Sequence, residues 1–375
     1  MKICIIAHLN DLSGANRSLV DLVNHLILKN EVLVIVPREG ELSRKLKEKG
    51  IPYKVILSGM WVYADLESTV KVILKYIINF FAEIRYFFFF LFNKFDIVHY
   101  NSSTYGAGAR SLKLLHRKYT WHIRELAEET FNLHFFNKKK SYELINNSEH
   151  IITISKFVEE NVQKDLNKDK ISVVYNGIEI PDRKEVSGIC IKELLFVGAI
   201  NFDKGQLIAL KAMKHLLKTV GVILPIIFLG KITNPEYKRK LEEYIKENQL
   251  EKYVTFEGYK QDISAYRNPS RMVLVCSEQE AFGRVTIEAM ANQEIVIGNN
   301  AGATPEIIQD GKFGYLYDGT YEDLANKIAT VVNNENQSSM INDSYIYAKN
   351  NFSIERTAIE VEKILKNVGQ MRCKN

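Results

Sequence analysis

Residues 271–291, RMVLVCSEQEAFGRVTIEAMA, join a largely apolar run to a helical pattern through a turn that contains Gly283. The run 271–276 has the length of a strand, and its apolar character is typical of strands buried on both faces of a parallel sheet. If a helix begins near Gly283, its first amide groups, around Arg284 and Val285, can hold a diphosphate. The stretch therefore predicts a strand, an anion-binding turn and a helix.

Two carboxylates, Glu280 and Glu288, flank this turn eight positions apart. Glu280 precedes the predicted helix, where it would lie beside a sugar carried by the diphosphate. Glu288 lies roughly 6 Å further along the helix axis, where a ribose diol could donate hydrogen bonds to it. One loop would thus contact three parts of a nucleotide sugar.

Apolar runs of strand length alternate with helix-periodic segments along the 375 residues. This alternation predicts the α/β class, with two doubly wound, Rossmann-like parallel-sheet domains. The strands predicted in the first half are residues 2–8, 31–37, 53–57, 96–101, 120–123, 151–155 and 171–176. In the second half, the predicted strands are residues 193–198, 222–230, 254–258, 271–277 and 294–299.

The alternation pauses in the polar stretch 177–188, which contains Pro181 and Gly188. We place the linker there, because few contacts are expected to cross such a stretch. The predicted domains are residues 1–185 and 186–351. A final periodic helix in residues 352–375 is expected to return to the N-terminal domain.

The composition is that of a globular protein, with 46% hydrophobic and 25% charged residues and a formal net charge of +5. The small basic excess suits anionic small molecules or an anionic membrane surface, and it does not single out nucleic acid. The first apolar run is expected to be a strand rather than a secretory signal, which favours a cytoplasmic location. The cysteines have neither paired nor metal-like spacing, so we expect free thiols; they are Cys4, Cys190, Cys276 and Cys373.

Residues 70–95 are the most apolar stretch, yet five charged residues interrupt it, so a membrane span is not expected. Two interpretations remain. The aromatic residues Phe87–Phe90 and Phe92 have basic flanks, which suits a helix lying in a membrane interface. Alternatively, the segment is a helix that packs into the core of the N-terminal domain.

The chain resembles the large retaining GT-B glycosyltransferase family with the E-x7-E motif, the glycosyl transferases of group 1. Residues 277–291 match that motif, and residues 299–315, NNAGATPEIIQDGKFGY, are similar to the family's glycine-pair and Pro-Glu element. Shorter similarities follow in the family's order and span most of the chain; they are residues 14–17, 151–158, 174–178, 196–205 and 256–262.

The resemblance implies that Glu280 contacts the donor sugar, Glu288 the ribose and Lys204 the diphosphate. A cation at the position of Lys204 would also neutralise the charge that grows on the leaving diphosphate as the glycosidic bond breaks. The further donor-binding candidates are Gly14, Arg17, Gly198, Tyr259, Phe282, Gly283, Arg284 and Val285. Glu280, His122 and Lys204 are the candidate catalytic residues.

Two positions depart from the family pattern. Ala199 stands where many relatives have an arginine, so one expected phosphate cation is missing, and Arg284 or Arg17 could replace its charge. Ala303 replaces the second residue of the usual glycine pair, which adds a methyl group where the backbone is expected to approach a ligand.

In the N-terminal half, the segment YTWHIRE, residues 119–125, ends a predicted strand. His122 and Arg124 are two positions apart, so they share a face and compete for one role beside the donor sugar. Glu125 is a possible partner of either. Ser13, Arg124 and Glu125 are assigned to the acceptor side.

The resemblance thus implies transfer of a hexosyl or N-acetylhexosaminyl unit, with retention and without a metal or other cofactor, from a nucleoside diphosphate sugar. A UDP-sugar is favoured over a GDP-sugar, and the acceptor is expected to be a glycan or a polyprenyl-linked sugar of cell-surface polysaccharide synthesis. Peripheral contact with the inner face of an anionic membrane would suit such an acceptor. The alternative is a catalytically silent GT-B subunit that binds a glycan or a partner transferase. A nicotinamide dehydrogenase is disfavoured because residues 6–14 lack the G-x-G-x-x-G pattern.

Overall fold

The computed structural model describes residues 1–65, 67–128, 132–186, 189–334 and 337–370. The chain forms two compact units. Unit 1 contains Met1–Glu179 together with the segment that begins at Ser353, and unit 2 contains Ile180–Phe352. Cys4, Cys190 and Cys276 are free thiols, whereas the predictions for Cys373 and Gly188 lie outside the described residues.

Unit 1 is built on a seven-stranded sheet in the order β3-β2-β1-β5-β6-β8-β9, in which every neighbouring pair is parallel. Its strands are β1 (Lys2–Ile6), β2 (Glu31–Val36), β3 (Tyr53–Val55), β5 (Ile97–Tyr100), β6 (Tyr119–Ile123), β8 (His150–Thr153) and β9 (Ile171–Val173). All seven strands predicted for this half are confirmed. The short antiparallel pair β4 (Val62–Ala64) and β7 (Leu133–Phe135) was not predicted.

Helices cover this sheet because their apolar faces pack onto the buried strands. In α1, four apolar residues recur at helical spacing and are buried; they are Leu19, Leu22, Val23 and Leu26. The helices of unit 1 are α1 (Gly14–Leu26), α2 (Glu41–Glu48), α3 (Thr69–Phe92), α4 (Ala109–Leu114), α5 (Lys138–Asn146), α6 (Lys156–Val162) and α13 (Ile354–Gln370).

The last helix, α13, belongs to the core of unit 1. Ala358, Val361 and Leu365 pack in the same cluster as Leu19 and Val23 of α1. The predicted domain boundary between residues 185 and 186 remains a prediction.

Unit 2 has a six-stranded parallel sheet in the order β12-β11-β10-β13-β14-β15. Its strands are β10 (Glu193–Val197), β11 (Ile226–Leu229), β12 (Val254–Gly258), β13 (Arg271–Val275), β14 (Ile295–Asn299) and β15 (Tyr315–Tyr317). Its helices are α7 (Gln206–Val220), α8 (Pro235–Glu247), α9 (Arg284–Ala291), α10 (Thr304–Ile308), α11 (Tyr321–Asn333) and α12 (Ser338–Phe352). The strand order reverses between β10 and β13, and open α/β sheets bind ligands beyond the carboxyl ends of strands at such a point.

Helix α3 leaves most of its apolar surface exposed. Ala82, Tyr86, Phe89 and Phe90 are its buried residues. The large apolar residues that it exposes are Val70, Ile73, Leu74, Tyr76, Ile77, Phe80, Phe81, Ile84, Phe88, Leu91 and Phe92. The core-packing interpretation is therefore wrong for most of this helix. Among the helices of the described ranges, none is long and apolar enough to cross a bilayer.

Candidate functional site

The order of strand, turn and helix predicted for residues 271–291 is present in the structure. The strand ends at Val275 and the helix begins at Arg284, so the predicted helix start near Gly283 is confirmed. Gly283 has φ +94°, a conformation that glycine adopts without the steric cost that a side chain brings. The backbone therefore enters the helix abruptly at this glycine, and the start of a helix carries a positive partial charge.

Lys204 and Glu280 meet at the point where the strand order reverses. Lys204 Nζ lies 3.1 Å from Glu280 Oε2, and their side chains are 33% and 22% exposed. Lys204 follows β10 and Glu280 follows β13, two neighbouring strands. Gly205, with φ +77°, fixes the turn after Lys204, because a Cβ at this position would lie 2.7 Å from the carbonyl oxygen of Cys276. A partly exposed cation and a carboxylate thus converge beside the start of α9.

The loop that carries Glu280 is held in place by the glycine of the Gly-Ala pair. A Cβ on Gly302 would lie 2.6 Å from the carbonyl oxygen of Glu280 and 2.8 Å from its amide nitrogen. The Ala303 amide donates a 2.8 Å hydrogen bond to the same carbonyl. Ala303 is fully buried, so its methyl group packs into the interior of unit 2.

Glu288 lies between two arginines. Its Oε1 accepts a hydrogen bond from Arg284 Nε at 2.8 Å, and its Oε2 is 3.1 Å from a terminal guanidinium nitrogen of Arg267. The other terminal nitrogen of Arg267 donates to Glu294 at 2.8 Å. Burial raises the pKa of Glu294 to about 7, and the adjacent Arg267 opposes that shift. Arg267 and Glu294 were not predicted from the sequence, because they form no motif and meet only through the fold.

The remaining donor candidates of unit 2 lie at the carboxyl ends of their strands. Gly198 follows β10, and Gly230 packs so closely beneath it that a Cβ on Gly230 would overlap the carbonyl of Gly198. At Ala199, the departure from the family pattern, the backbone carbonyl accepts a 2.8 Å hydrogen bond from Gln206. Tyr259 follows β12 and is 52% exposed. Phe282 is buried and its ring packs against Phe352 of α12.

In unit 1, the loop after β1 leads into α1. Gly14 is the first residue of the helix and Ser13 precedes it as the N-cap residue. The Ser13 amide donates to Asp11 at 3.1 Å. Arg17 lies in the first turn, where its Nε donates to the Leu12 carbonyl at 3.1 Å.

His122 and Arg124 are hydrogen-bonded to each other rather than arranged as alternatives. An Arg124 guanidinium nitrogen lies 3.2 Å from His122 Nδ1, and Arg124 also donates to Asn101 at 2.7 Å and to Asn176. Burial and the Arg124 charge hold the pKa of His122 well below its usual value, so the imidazole is neutral. His122 Nε2 is buried and has no hydrogen-bond partner among the described residues.

Glu125 is anchored by the loop that follows β5. One carboxylate oxygen accepts hydrogen bonds from the Ser102 hydroxyl at 2.6 Å and from the Ser103 amide at 2.8 Å. Its charge also acts on His8, a buried residue after β1. Burial lowers the pKa of His8, and the Glu125 charge opposes part of that shift. His8 was not predicted as a site residue, although its place just beyond a central strand was a usable signal.

Within the described ranges, no group of three or more His, Cys, Asp or Glu side chains has an arrangement that could hold a metal ion.

Two units with doubly wound parallel sheets define the GT-B class, and solved structures of that class superimpose on nearly the whole chain. The crystal structure of Anabaena HepE in complex with UDP and glucose aligns with a TM-score of 0.79 at 20% identity and covers 98% of this chain and 99% of that one. The family model "Glycosyl transferases group 1" matches residues 191–347, and "Glycosyltransferase Family 4" matches residues 12–180. The chain belongs to the group 1 glycosyltransferase family.

Curated relatives are more similar in sequence but match a shorter part of the chain. An uncharacterised glycosyltransferase of Methanocaldococcus jannaschii is 29% identical over 228 residues, which are 60% of this chain and 61% of that protein. A lipopolysaccharide 1,2-N-acetylglucosaminetransferase of Salmonella typhimurium is 28% identical over 190 residues, which are 46% of this chain and 50% of that protein. The chain therefore spans about half to three fifths of the length of these two relatives.

Proposed function

We propose that this protein is a retaining glycosyltransferase that transfers a hexosyl or N-acetylhexosaminyl unit from a nucleoside diphosphate sugar to a hydroxyl group of a glycan or lipid-linked acceptor. The observation that carries the proposal is the Lys204–Glu280 pair beside the start of α9, at the strand reversal of unit 2. The Anabaena protein with the same fold was crystallised with UDP and glucose, which favours a UDP-sugar as the donor here.

In the proposed reaction, the bond between the anomeric carbon and the diphosphate oxygen breaks, and its electron pair remains on the diphosphate. Lys204 and the amides at the start of α9 stabilise that growing negative charge, with no metal ion required. The acceptor oxygen bonds to the anomeric carbon on the same face, and its proton passes to the leaving diphosphate. Glu280 orients the sugar by accepting hydrogen bonds from its hydroxyl groups, and Glu288 accepts hydrogen bonds from the ribose in the same way. His122 is the third residue that we propose for catalysis, beside Glu280 and Lys204.

The test of this assignment is Glu280→Gln, with Glu278→Gln as the matched control because Glu278 lies in the same turn and is exposed. We expect Glu280→Gln to lower transfer by about a hundredfold or more while the melting temperature changes little, since misplacement of a reacting group has effects of this size. Glu278→Gln should transfer normally. Wild-type turnover in Glu280→Gln would remove the role proposed for this residue.

The donor can be identified by thermal-shift measurements with UDP-, GDP- and ADP-sugars. A donor present at 100 times its Kd stabilises the folded protein by about 2.7 kcal/mol, which is readily detected. The silent-subunit alternative, favoured by Ala199 in place of the family arginine, predicts stabilisation by a donor without turnover on any acceptor. Donor hydrolysis or transfer by the wild-type protein would exclude it.

We further propose that the exposed apolar face of α3 lies on an anionic membrane. This face is too wide for a coiled-coil seam, because the exposed residues occupy positions beside the heptad stripe as well as on it. Lys71 and Arg85 are exposed at its edge and suit anionic lipid headgroups. The sequence predicted the membrane contact at residues 87–92, but Phe89 and Phe90 are buried.

Sedimentation with anionic liposomes tests this surface. Phe81→Ser and Phe88→Ser change residues that are 51% and 53% exposed, and Phe202→Ser changes a 50% exposed phenylalanine of unit 2 as the control. We expect the two α3 variants to sediment less than the wild type and the control to sediment equally. Equal sedimentation of all four proteins would contradict membrane contact through α3.

A further inference from the structure

Unit 1 contains an apolar cavity of about 470 Å³ beside α3. Its volume lies within the range of cavities that hold small organic ligands. One side of α3, the helices α4 and α5 and the segments around β4 and β7 surround this cavity. Its apolar lining includes Trp61, Phe80, Phe87, Leu114, Phe136 and Leu144. A ligand buried here must therefore be largely hydrocarbon.

Two polar side chains of α3 that line this cavity, Glu83 and Asn79, already have partners. Glu83 accepts hydrogen bonds from the Gly108 amide at 3.0 Å and from the Ser111 hydroxyl at 3.3 Å, and burial raises the pKa of its carboxyl group. Asn79 accepts from the Gly59 amide at 2.8 Å and donates to the Met60 carbonyl at 3.1 Å. These groups offer little to a polar ligand such as an extended peptide.

Two cations also line the cavity. Arg110 of α4 and Lys140 of α5 are both exposed, so they lie where the cavity meets solvent. The single acidic group in the lining, among the described residues, is Glu83, which lies mostly buried between α3 and α4. The opening therefore favours an anionic head on an apolar chain.

The cavity and the exposed face of α3 share residues. Tyr76, Phe80 and Ile84 line the cavity and are also 57%, 65% and 44% exposed. If the face of α3 lies in lipid, a hydrocarbon chain can pass from the membrane into the cavity along a continuous apolar surface. Such a path avoids the cost of exposing the chain to water.

We propose that this cavity binds one hydrocarbon chain of a phosphate-bearing membrane lipid, with the phosphate beside Arg110 and Lys140. The inference rests on the proposed function, because such a lipid would carry the acceptor sugar. It adds a binding site for the tail of that lipid, separate from the residues proposed for donor binding and catalysis.

The two tryptophans of the chain provide a direct readout of this cavity. Trp61 lines the cavity and stacks on Trp121 with ring centroids 5.6 Å apart, and the sequence contains no other tryptophan. Helix α3 contains no tryptophan, so a brominated lipid adsorbed on its exposed face does not lie against an indole of that helix. Bromine atoms on a bound chain quench a neighbouring indole, so a brominated chain inside the cavity reports its own binding.

The probe is dibromododecyl phosphate, kept below the concentration at which it forms micelles. We expect saturable quenching of the wild-type protein, reversed by unbrominated dodecyl phosphate and not by inorganic phosphate. Ser141→Phe, which adds a ring at a buried position of the lining, should abolish the quenching. Lys140→Ala should raise the Kd about threefold, as expected for the loss of one exposed ionic contact. Lys139→Ala, which changes the adjacent exposed residue outside the lining, is the control.

Quenching that does not saturate, or that is equal in Ser141→Phe and the wild type, would overturn the proposal. Should Ser141→Phe fail to fold, equal Kd values for Lys140→Ala and Lys139→Ala would overturn the phosphate contact and with it the proposed ligand. Self-association that excludes the probe would assign the cavity to a second copy of the chain instead. The assay needs neither donor nor transfer, so saturable binding without activity would count against the proposed function alone.

Discussion

Gly302→Ala probes how the fold positions Glu280. Gly302 has φ +61°, and an added Cβ would lie 2.6 Å and 2.8 Å from the carbonyl oxygen and amide nitrogen of Glu280. Real Cβ atoms essentially never approach other atoms this closely, and both neighbours are backbone atoms. The loop that carries Glu280 must therefore move in the variant.

Two effects contribute to the expected change, and a second glycine separates them. An alanine in the left-handed conformation costs about 1–2 kcal/mol wherever it stands. Gly311 has φ +76°, and no atom lies within 4 Å of the position that its Cβ would take, so Gly311→Ala carries this cost alone. Gly302→Ala adds displacement of Glu280. The hydrogen bonds proposed between this carboxylate and a donor sugar would be worth about 1.5–3 kcal/mol, since they involve a charged group. A loss of about 1.4 kcal/mol is tenfold in affinity, so we expect the donor Kd to rise about tenfold or more.

Urea unfolding and calorimetric titration with UDP-glucose measure the two quantities. Gly311→Ala should be destabilised with an unchanged Kd, whereas Gly302→Ala should lose more stability and bind the donor weakly. If thermal shift selects another donor, the titration uses that one. Equal destabilisation of both variants together with a wild-type Kd for Gly302→Ala would refute the argument that this glycine positions Glu280.

Three further outcomes follow from the charges and burial of individual groups. Lys204→Met should lower donor affinity about tenfold or more in the same titration. Its free energy of unfolding should change by less than about 1 kcal/mol, because the ion pair with Glu280 is partly exposed. Wild-type donor affinity in this variant would count against the role of Lys204. Arg267→Met should destabilise unit 2 by about 3–5 kcal/mol in urea unfolding, since it leaves the buried Glu294 carboxylate without the Arg267 cation. Adding Glu294→Gln to this variant should recover part of the lost stability. Full stability of Arg267→Met alone would contradict this expectation. Burial lowers the pKa of His99 to about 3, so the unfolded chain protonates first as the pH falls below about 6.5, and unit 1 should lose up to about 1.4 kcal/mol per pH unit from this residue. His99→Asn should reduce that slope in unfolding followed by tryptophan fluorescence, and an unchanged slope would disprove the assignment.

The strands of both sheets were predictable because they are buried. Strand β1, for example, is an uninterrupted apolar run in which residues 3–6 are almost fully buried. Strand β15, by contrast, has three residues and follows a glycine-rich turn, so its pairing with β14 is set by the sheet rather than by a local pattern. The position of α3 was not decided by the sequence, because an apolar helix has the same pattern whether it is covered by protein or by lipid.

The candidate site was predictable only where one segment carries it. Glu280, Gly283 and Glu288 lie within nine residues, and local spacing sufficed to place them around a helix start. Arg267 approaches Glu288 from a different loop, and Arg124 reaches Asn176 across 52 positions. Such contacts depend on which strands become neighbours, and the sequence does not state that order.

Two ion pairs of unit 2, Arg267–Glu294 and Lys204–Glu280, differ in how deeply they are buried. The buried pair suits a structural role, and the partly exposed pair suits ligand binding. Arg267 and Glu294 have side chains that are 4% and 0% exposed, so breaking their contact would leave a buried charge without a partner. Glu294 therefore holds the Arg267 guanidinium, which in turn contacts Glu288. The Lys204–Glu280 pair is partly exposed, and such pairs are worth about 1 kcal/mol or less. A diphosphate can therefore draw Lys204 away at little cost, which releases the Glu280 carboxylate to accept hydrogen bonds from a sugar. If this exchange operates, Lys204→Met should weaken the binding of UDP, which has a diphosphate and no transferable sugar, more than Glu280→Gln does; the reverse order would contradict it.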